Sequence, residues 1–253
     1  MSEGQFRDAI NSFKGFPKMV GFCGGEPLLH PHFEYFCNLA LEVLPPEQLG
    51  LWTTFPKGYE HYREIICRTF YHIFLNDHTR DDVMHSPILV ASKDVVGPEN
   101  VFLATEHCWV QECWSACVNP KGAFFCEVAG HMAVLFDGPE GWPVEPGWWR
   151  RVTKDYAEQR EKWCPMCGAA LPLVRRPSTD GADDISQSNL ALLQGISRKV
   201  KRGNYVLMTD FQQELGPRKE PAYKDMDYRD EISGRYGIYL LLNKYGFLRP
   251  KLK

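Results

Sequence analysis

Apolar positions in the first part of the chain switch back and forth between helical spacing and short unbroken runs. Phe6, Ile10 and Phe13 recur at i, i+4 and i+7, on one face of a helix that Gly15-Phe16-Pro17 ends. Met19-Val20-Gly21-Phe22-Cys23 reads as a short buried strand running into Gly24-Gly25. A second helix starts near Pro31, with Phe33, Phe36, Cys37, Ala40 and Leu44 as its buried stripe, and Pro45-Pro46 stops it. Residues 49–54 predict another strand, 59–70 another helix, 71–75 another strand, and Ile88-Leu89-Val90 one more. Alternation of this kind predicts an α/β fold with a parallel sheet and crossover helices. Its three or four repeats are too few to close an eight-stranded barrel.

From residue 97 the periodicity gives way to cysteines, tryptophans and Gly-Pro breaks. Asn119-Pro120-Lys121-Gly122 predicts a hairpin turn that brings residues 114–118 beside 123–128. Residues 138–149 read as a loop packed by its own tryptophans, and 156–163 as a short helix leading into Cys164. Residues 177–184 read as a polar linker, 185–196 as a helix, 205–208 as a strand and 231–245 as a C-terminal helix carrying Ile238, Leu241 and Leu242. The expected division is therefore 1–96, 97–176 and 177–253, the last covering the cysteine region or a partner surface.

Composition narrows the function classes. The 253 residues are 44% hydrophobic and 24% charged, ordinary for a globular protein, and ample for a core. A formal charge of −3 gives no electrostatic footprint for nucleic acid or an anionic membrane. No apolar run approaches the roughly 20 residues that span a bilayer. The N-terminus lacks a basic segment followed by an apolar one, so no signal peptide is expected and the location expected is cytoplasmic. Thiols then stay reduced, and clustered cysteines read as metal ligands rather than disulfides.

Six of the nine cysteines lie between 108 and 167. Cys164-Pro165-Met166-Cys167-Gly168 has the spacing with which two thiolates grip one metal from a tight turn. The other two ligands of a tetrahedral set would come from Cys108, Cys113, Cys117 and Cys126. Cys126 follows the hairpin and is the first choice; Cys108 and Cys113 compete for the remaining place, and Cys117 lies on the wrong side of the turn. Zinc and an iron–sulfur cluster both fit such a set. Glu127 reads as a hairpin surface charge or as a group supporting Cys126. Trp142, Trp148 and Trp149 read as packing over the metal region or as a substrate platform. Cys23, Cys37 and Cys67 fall in strand and helix patterns and read as small buried hydrophobes.

Gly24-Gly25-Glu26-Pro27 follows the first predicted strand, where a turn faces the ligand side of a parallel sheet. Its glycines allow positive φ and close backbone approach, and Glu26 offers a carboxylate for an ammonium group; a plain strand-end turn explains the same residues. His30 and His32 flank Pro31 beside it, in reach of a ligand or serving the helix start. Asn76-Asp77-His78 follows the strand at 71–75, as a substrate-contacting loop or a solvated turn.

Gly24-Gly25-Glu26-Pro27 with Leu28-Leu29-His30-Pro31 after it resembles the motif of the radical S-adenosylmethionine enzymes. Cys108, thirteen residues, Gly122, three residues, Cys126, a gap and then Cys164-x-x-Cys167 is similar to the auxiliary-cluster module, of SPASM or twitch type, that follows many of their barrels. The likeness covers roughly residues 5–175, with the glycine spacing one residue shorter than the commonest pattern. It implies a partial β/α barrel followed by a cysteine-rich, loop-rich cluster-binding domain. It further implies S-adenosylmethionine held at Gly24, Gly25, Glu26 and Pro27, and an auxiliary four-iron four-sulfur cluster held by cysteines drawn from Cys108, Cys113, Cys126, Cys164 and Cys167.

In such enzymes a barrel cluster reduces the cofactor's sulfonium to give a 5′-deoxyadenosyl radical, which abstracts hydrogen from a substrate. That cluster binds through Cys-x3-Cys-x2-Cys upstream of the glycine turn, and here no cysteine precedes Cys23. The chain is expected to be a truncated or degenerate relative, not competent for radical chemistry alone, with catalytic residues unassigned and its substrate a small molecule or peptide. The alternative is a zinc-stabilised, non-enzymatic binding or scaffold module.

Overall fold

A computed structural model describes residues 1–75, 84–106, 108–112 and 116–209. They divide into two compact units, one within Met1–Asp77 and Glu145–Trp149, the other within His78–Val144 and Arg150–Lys219.

The first unit opens with α1 (Glu3–Ser12), started by a capping box in which Ser2 and Gln5 exchange hydrogen bonds. Strand β1 (Val20–Phe22), helix α2 (Phe33–Leu41), strand β2 (Leu49–Thr53), helix α3 (Arg63–Thr69) and strand β3 (His72–Leu75) follow. The three strands form a parallel sheet in the order β1-β2-β3, with Gly21 opposite Gly50 and Leu51 opposite Ile73. Leu49, Leu51 and Thr53 of the central strand are buried, and the two leucines pack with Phe33, Cys37, Ala40, Ile66 and Phe70. The other face stacks Trp52 on Phe74 at 4.0 Å. Gly21 leaves room there, since a Cβ on it would run into the Trp52 ring. The predicted stripe of α2 is buried throughout, and the helix expected over 59–70 is a 3-10 turn at Glu60–Tyr62 continued by α3.

Trp148 and Trp149 belong to this unit. Their indole nitrogens donate to Ser12 Oγ at 3.1 Å and Ser12 O at 3.2 Å, and Trp148 meets Phe13 edge-on. They therefore cap the end of α1 rather than cover the cysteine region as expected.

The second unit runs through β4 (Met84–His85), α4 (Ser92–Val96), α5 (Val101–Thr105), α6 (Trp109–Glu112), the hairpin strands β5 (Cys117–Asn119) and β6 (Gly122–Phe124), and α7 (Glu127–Leu135). It continues with α8 (Ala157–Trp163), a 3-10 turn at Cys164–Met166, β7 (Arg176–Pro177), β8 (Asp183–Ser186), α9 (Gln187–Leu193), α10 (Arg198–Lys201) and β9 (Tyr205–Met208). The hairpin forms at the predicted Asn119–Gly122 turn, and Trp142 extends it by exchanging backbone bonds of 2.8 Å with Ala123. Strands β4 and β7 pair antiparallel, and β8 and β9 pair in parallel.

Several expectations are corrected. Ile88-Leu89-Val90 is not a strand: Ile88 N and Val90 N turn back onto Ser86 O and Pro87 O, while Ile88 O accepts from Gly168 N. The second arm of the hairpin stops at Phe124, and α7 begins at Glu127, so Glu127 lies in a first helical turn, where its charge suits the helix dipole. The supposed linker at 177–184 contains β7, a 3-10 turn at Ser178–Asp180 and the start of β8, held by Arg176 bonded to both Asp180 and Asp184. The helix expected over 185–196 accordingly starts only at Gln187. The expected boundaries at 96 and 176 both fall inside the second unit, because residues 86–94 and 183–190 bond to the Cys164 turn and to each other. Residues 76–78, 113 and 231–245 lie outside the described residues.

Candidate metal centre

Four thiols reach one cavity from three separate segments. Cys108 sits between α5 and α6, Cys126 is the N-cap of α7, and Cys164 and Cys167 bound the 3-10 turn that ends α8. All four line a single cavity of about 370 Å3, open mouth included, with Val110, Phe125, Met132 and Trp163 among its apolar walls. The converging segments are fixed by bonds invisible to periodicity. Trp109 Nε1 donates to Ala169 O at 3.0 Å, which ties the helix after Cys108 to the chain just past Cys167. The carboxamide of buried Gln159 accepts from Phe125 N and donates to Ala123 O, both at 3.1 Å, which ties α8 to the segment before Cys126. No sequence signal marks Gln159 as a positioning residue; it is one polar position in a charged helix.

Electrostatics follow from this burial. Desolvation pushes the Cys164 thiol up to about 11 and the Cys167 thiol to about 12, and carries Cys126 well above the ordinary range. The neighbouring sulfurs push the same way: Cys167 and Cys108 on Cys126, Cys108 on Cys164, and Cys108 and Cys164 on Cys167. Three thiols raised by burial and by the sulfurs beside them suit a cation placed among them. Opposing groups are also present. Ala169 N–H donates to Cys167 Sγ at 3.4 Å, the Ala129 and Val128 amides favour the Cys126 thiolate, and Arg160 and Thr105 favour that of Cys164. The Trp163 indole N–H is buried without a hydrogen-bond partner among the described residues.

The remaining candidates separate clearly. Cys117 is half-buried outside the cavity, its Sγ 3.8 Å from Cys126 O and against Gly130 of α7. Cys37 is buried in the first unit and Cys67 half-buried, but Cys23 is exposed, against expectation, because β1 ends at Phe22. Among the described residues, no group of three or more His, Cys, Asp or Glu is arranged to hold a metal ion in the positions these side chains take. A single tetrahedral zinc, with Zn–S near 2.3 Å, would draw its sulfurs to about 3.8 Å from one another. Neutral thiols have no reason to crowd to that spacing.

The glycine turn stands at the carboxyl end of the parallel sheet. Gly24 and Gly25 are exposed with φ of 94° and 36°, so the backbone takes a form that side chains disfavour. Glu26 does not reach outward. Its Oε1 accepts from Leu28 N and Thr53 Oγ1 at 3.1 and 2.6 Å, and its Oε2 from Thr54 N and Thr54 Oγ1, both at 2.7 Å. Both carboxylate oxygens are thereby occupied in tying β1 to the end of β2. His30 bonds Met1 O, and His32, at the N-cap position of α2 but with no side-chain capping bond, pairs with Glu3 at 2.8 Å, so both side chains tie to the N-terminal segment.

Comparison of the chain with protein-family models, curated proteins and solved structures found no match. No helix among the described residues is long and apolar enough to cross a membrane.

Proposed function

We propose that the chain is a radical S-adenosylmethionine-like iron–sulfur protein whose second unit holds a four-iron four-sulfur cluster on Cys108, Cys126, Cys164 and Cys167. The observation that carries this reading is the convergence of four thiols, three buried and that of Cys167 half-buried, on one apolar cavity. What favours a cluster over one zinc is the resemblance of the Gly24–Pro27 turn, with the hairpin before Cys126, to the radical S-adenosylmethionine pattern. Such a cluster supplies a one-electron redox centre when bound. The chain's own part is to exclude water with Phe125, Met132 and Trp163, and to balance thiolate charge through the Ala169 amide, the start of α7 and Arg160. In the first unit, the exposed Gly24-Gly25 backbone is the part of the turn left to meet the amino group of S-adenosylmethionine, because the Glu26 carboxylate is taken. No Cys-x3-Cys-x2-Cys occurs in the 253 residues, so radical generation is assigned to none of them.

The second reading is a structural zinc site. The Cys-x-x-Cys turn with its amide-to-sulfur bond favours it. Anaerobic reconstitution followed by iron, sulfide and zinc analysis separates the two. The cluster reading expects a brown protein with about four irons and four sulfides per chain. Alanine at any of the four cysteines should remove most of the bound iron, while Cys117→Ala should keep it. A colourless protein with one zinc per chain overturns the cluster.

A further inference from the structure

The Cys164–Cys167 turn is held from outside by two side chains that the cysteine pattern does not include. Ser92 Oγ, at the start of α4, donates to Cys164 O at 2.7 Å. Asn189, on α9, donates through Nδ2 to Met166 O at 2.8 Å and to Leu89 O at 2.9 Å. Both residues are fully buried. Because both partners of Nδ2 are carbonyls, the orientation of the Asn189 amide is fixed by its bonds. Its Oδ1 is buried with no partner among the described residues, so the donors alone account for an asparagine here.

These contacts belong to a larger tie. Ala91 N donates to Ser186 Oγ at 2.9 Å, and Ser186 N donates to Leu89 O at 3.4 Å. Ser188 donates to the Asp94 carboxylate through both its amide, at 3.1 Å, and its hydroxyl. On the opposite side, Gly168 N donates to Ile88 O at 3.0 Å, and a Cβ on Gly168 would press on Pro87 O and Val90 O. Residues 86–94 are thus gripped by the cysteine turn on one side and by β8 and α9 on the other. The peptide between Met166 and Cys167 takes its orientation from Asn189, and its N–H in turn closes the turn onto Cys164 O at 3.2 Å.

We propose that Asn189, with Ser92, is a positioning residue for the metal centre, so that loading of the four thiols and docking of α9 on residues 86–94 are one coupled equilibrium. This rests on the metal centre of the preceding section and adds a dependence that the centre alone does not require. Carbonyls whose planes are set by buried donors present Cys164 and Cys167 in one orientation. Without those donors the turn samples others, and metal-bound geometry is reached by a fraction of molecules only.

The test uses the full chain with cobalt(II), read by its thiolate charge-transfer absorption and by competition with a chelator. The wild type should bind with the intensity of a thiolate-rich tetrahedral site. Asn189→Ala and Ser92→Ala should each weaken cobalt by roughly 10–100-fold and speed its release, in the range found for groups that support metal ligands. Asn189→Asp keeps the volume but sets acceptors against two carbonyls, so it should be worse than alanine; a purely space-filling role predicts the reverse. Hydrogen exchange on the wild type needs no variant: cobalt should raise protection of the amides of residues 187–193 along with those of 164–168. Cobalt binding by the wild type with unchanged affinity in all three variants, or with no change in α9 protection, overturns the clamp and leaves the centre standing. A wild type that binds neither cobalt nor an iron–sulfur cluster overturns the centre and the coupling together.

Discussion

At the scale of single residues, Cys126 shows how local position and burial oppose each other. As N-cap of α7 its sulfur faces the positive end of a helix, which favours thiolate, yet desolvation dominates and the thiol keeps its proton. The same holds for Cys164 and Cys167, at about 11 and about 12 against an ordinary 9.0. A folded-state value above the unfolded one means that the native chain holds protons the unfolded chain would release. The metal-free protein should therefore keep this stabilisation below about pH 9 and lose it as pH rises through 11 to 12. Urea titrations of metal-free protein between pH 7.5 and 10.5 (roughly the range open to experiment) should show the midpoint falling at the alkaline end. Metal affinity should move oppositely, rising with pH because each thiol sheds a proton on binding. A pH-independent affinity would contradict thiolate ligation.

Residues also mark where sequence reasoning stopped. Cys126, Cys164 and Cys167 stood out in the sequence, and Cys117 as the odd one by its place on the hairpin, while Cys108 competed with Cys113, which lies outside the described residues. Gln159, Ser92 and Asn189 were not. Each acts through a side-chain bond to a distant backbone carbonyl or amide, and a single polar residue in a helix or turn carries no trace of such a partner.

At the scale of elements, the turn after β1 is a rivet. Four hydrogen bonds converge on the Glu26 carboxylate, three of them from Thr53 and Thr54 at the end of β2. Glu26→Gln replaces one acceptor oxygen by an amide that faces donors. It should destabilise the first unit by about 1–3 kcal/mol, measurable by urea unfolding. A ligand-facing glutamate would leave stability unchanged.

Elements of the first unit were legible because each buries one face against one sheet, giving α2 its stripe and the parallel strands their apolar runs. Many elements of the second unit were hidden, α7 and β8 among them. Helix α7 carries Gly130 at its centre, which reads as a break; in the fold that glycine lets the helix lie on Cys117 and Asn119 of β5. Strand β8 starts in Asp183-Asp184, which reads as solvated linker until Lys199 and Arg176 are seen to neutralise it.

For the whole molecule, the division into two units, each with its own buried apolar cluster, puts all four thiols of the proposed centre in one of them. Removing the metal should therefore act regionally. A ligand present at 1,000 times its Kd stabilises what it binds by about 4 kcal/mol. Hydrogen exchange after metal removal should show amides of α7, α8 and the Cys164 turn losing protection by roughly three orders of magnitude. Those of β1, β2 and β3 should keep theirs. Equal loss in both units would contradict a centre built from the second alone.

The order of the clamp along the chain has a consequence for biosynthesis. Cys108, Cys126, Cys164 and Cys167 all emerge from the ribosome ahead of Asn189, and β9 is completed roughly forty residues after Cys167. At 5–20 residues per second that interval lasts on the order of seconds. On the proposed reading, a metal delivered in that interval would meet a Cys164–Cys167 turn not yet braced by Asn189, and the arrival of α9 would then set its orientation.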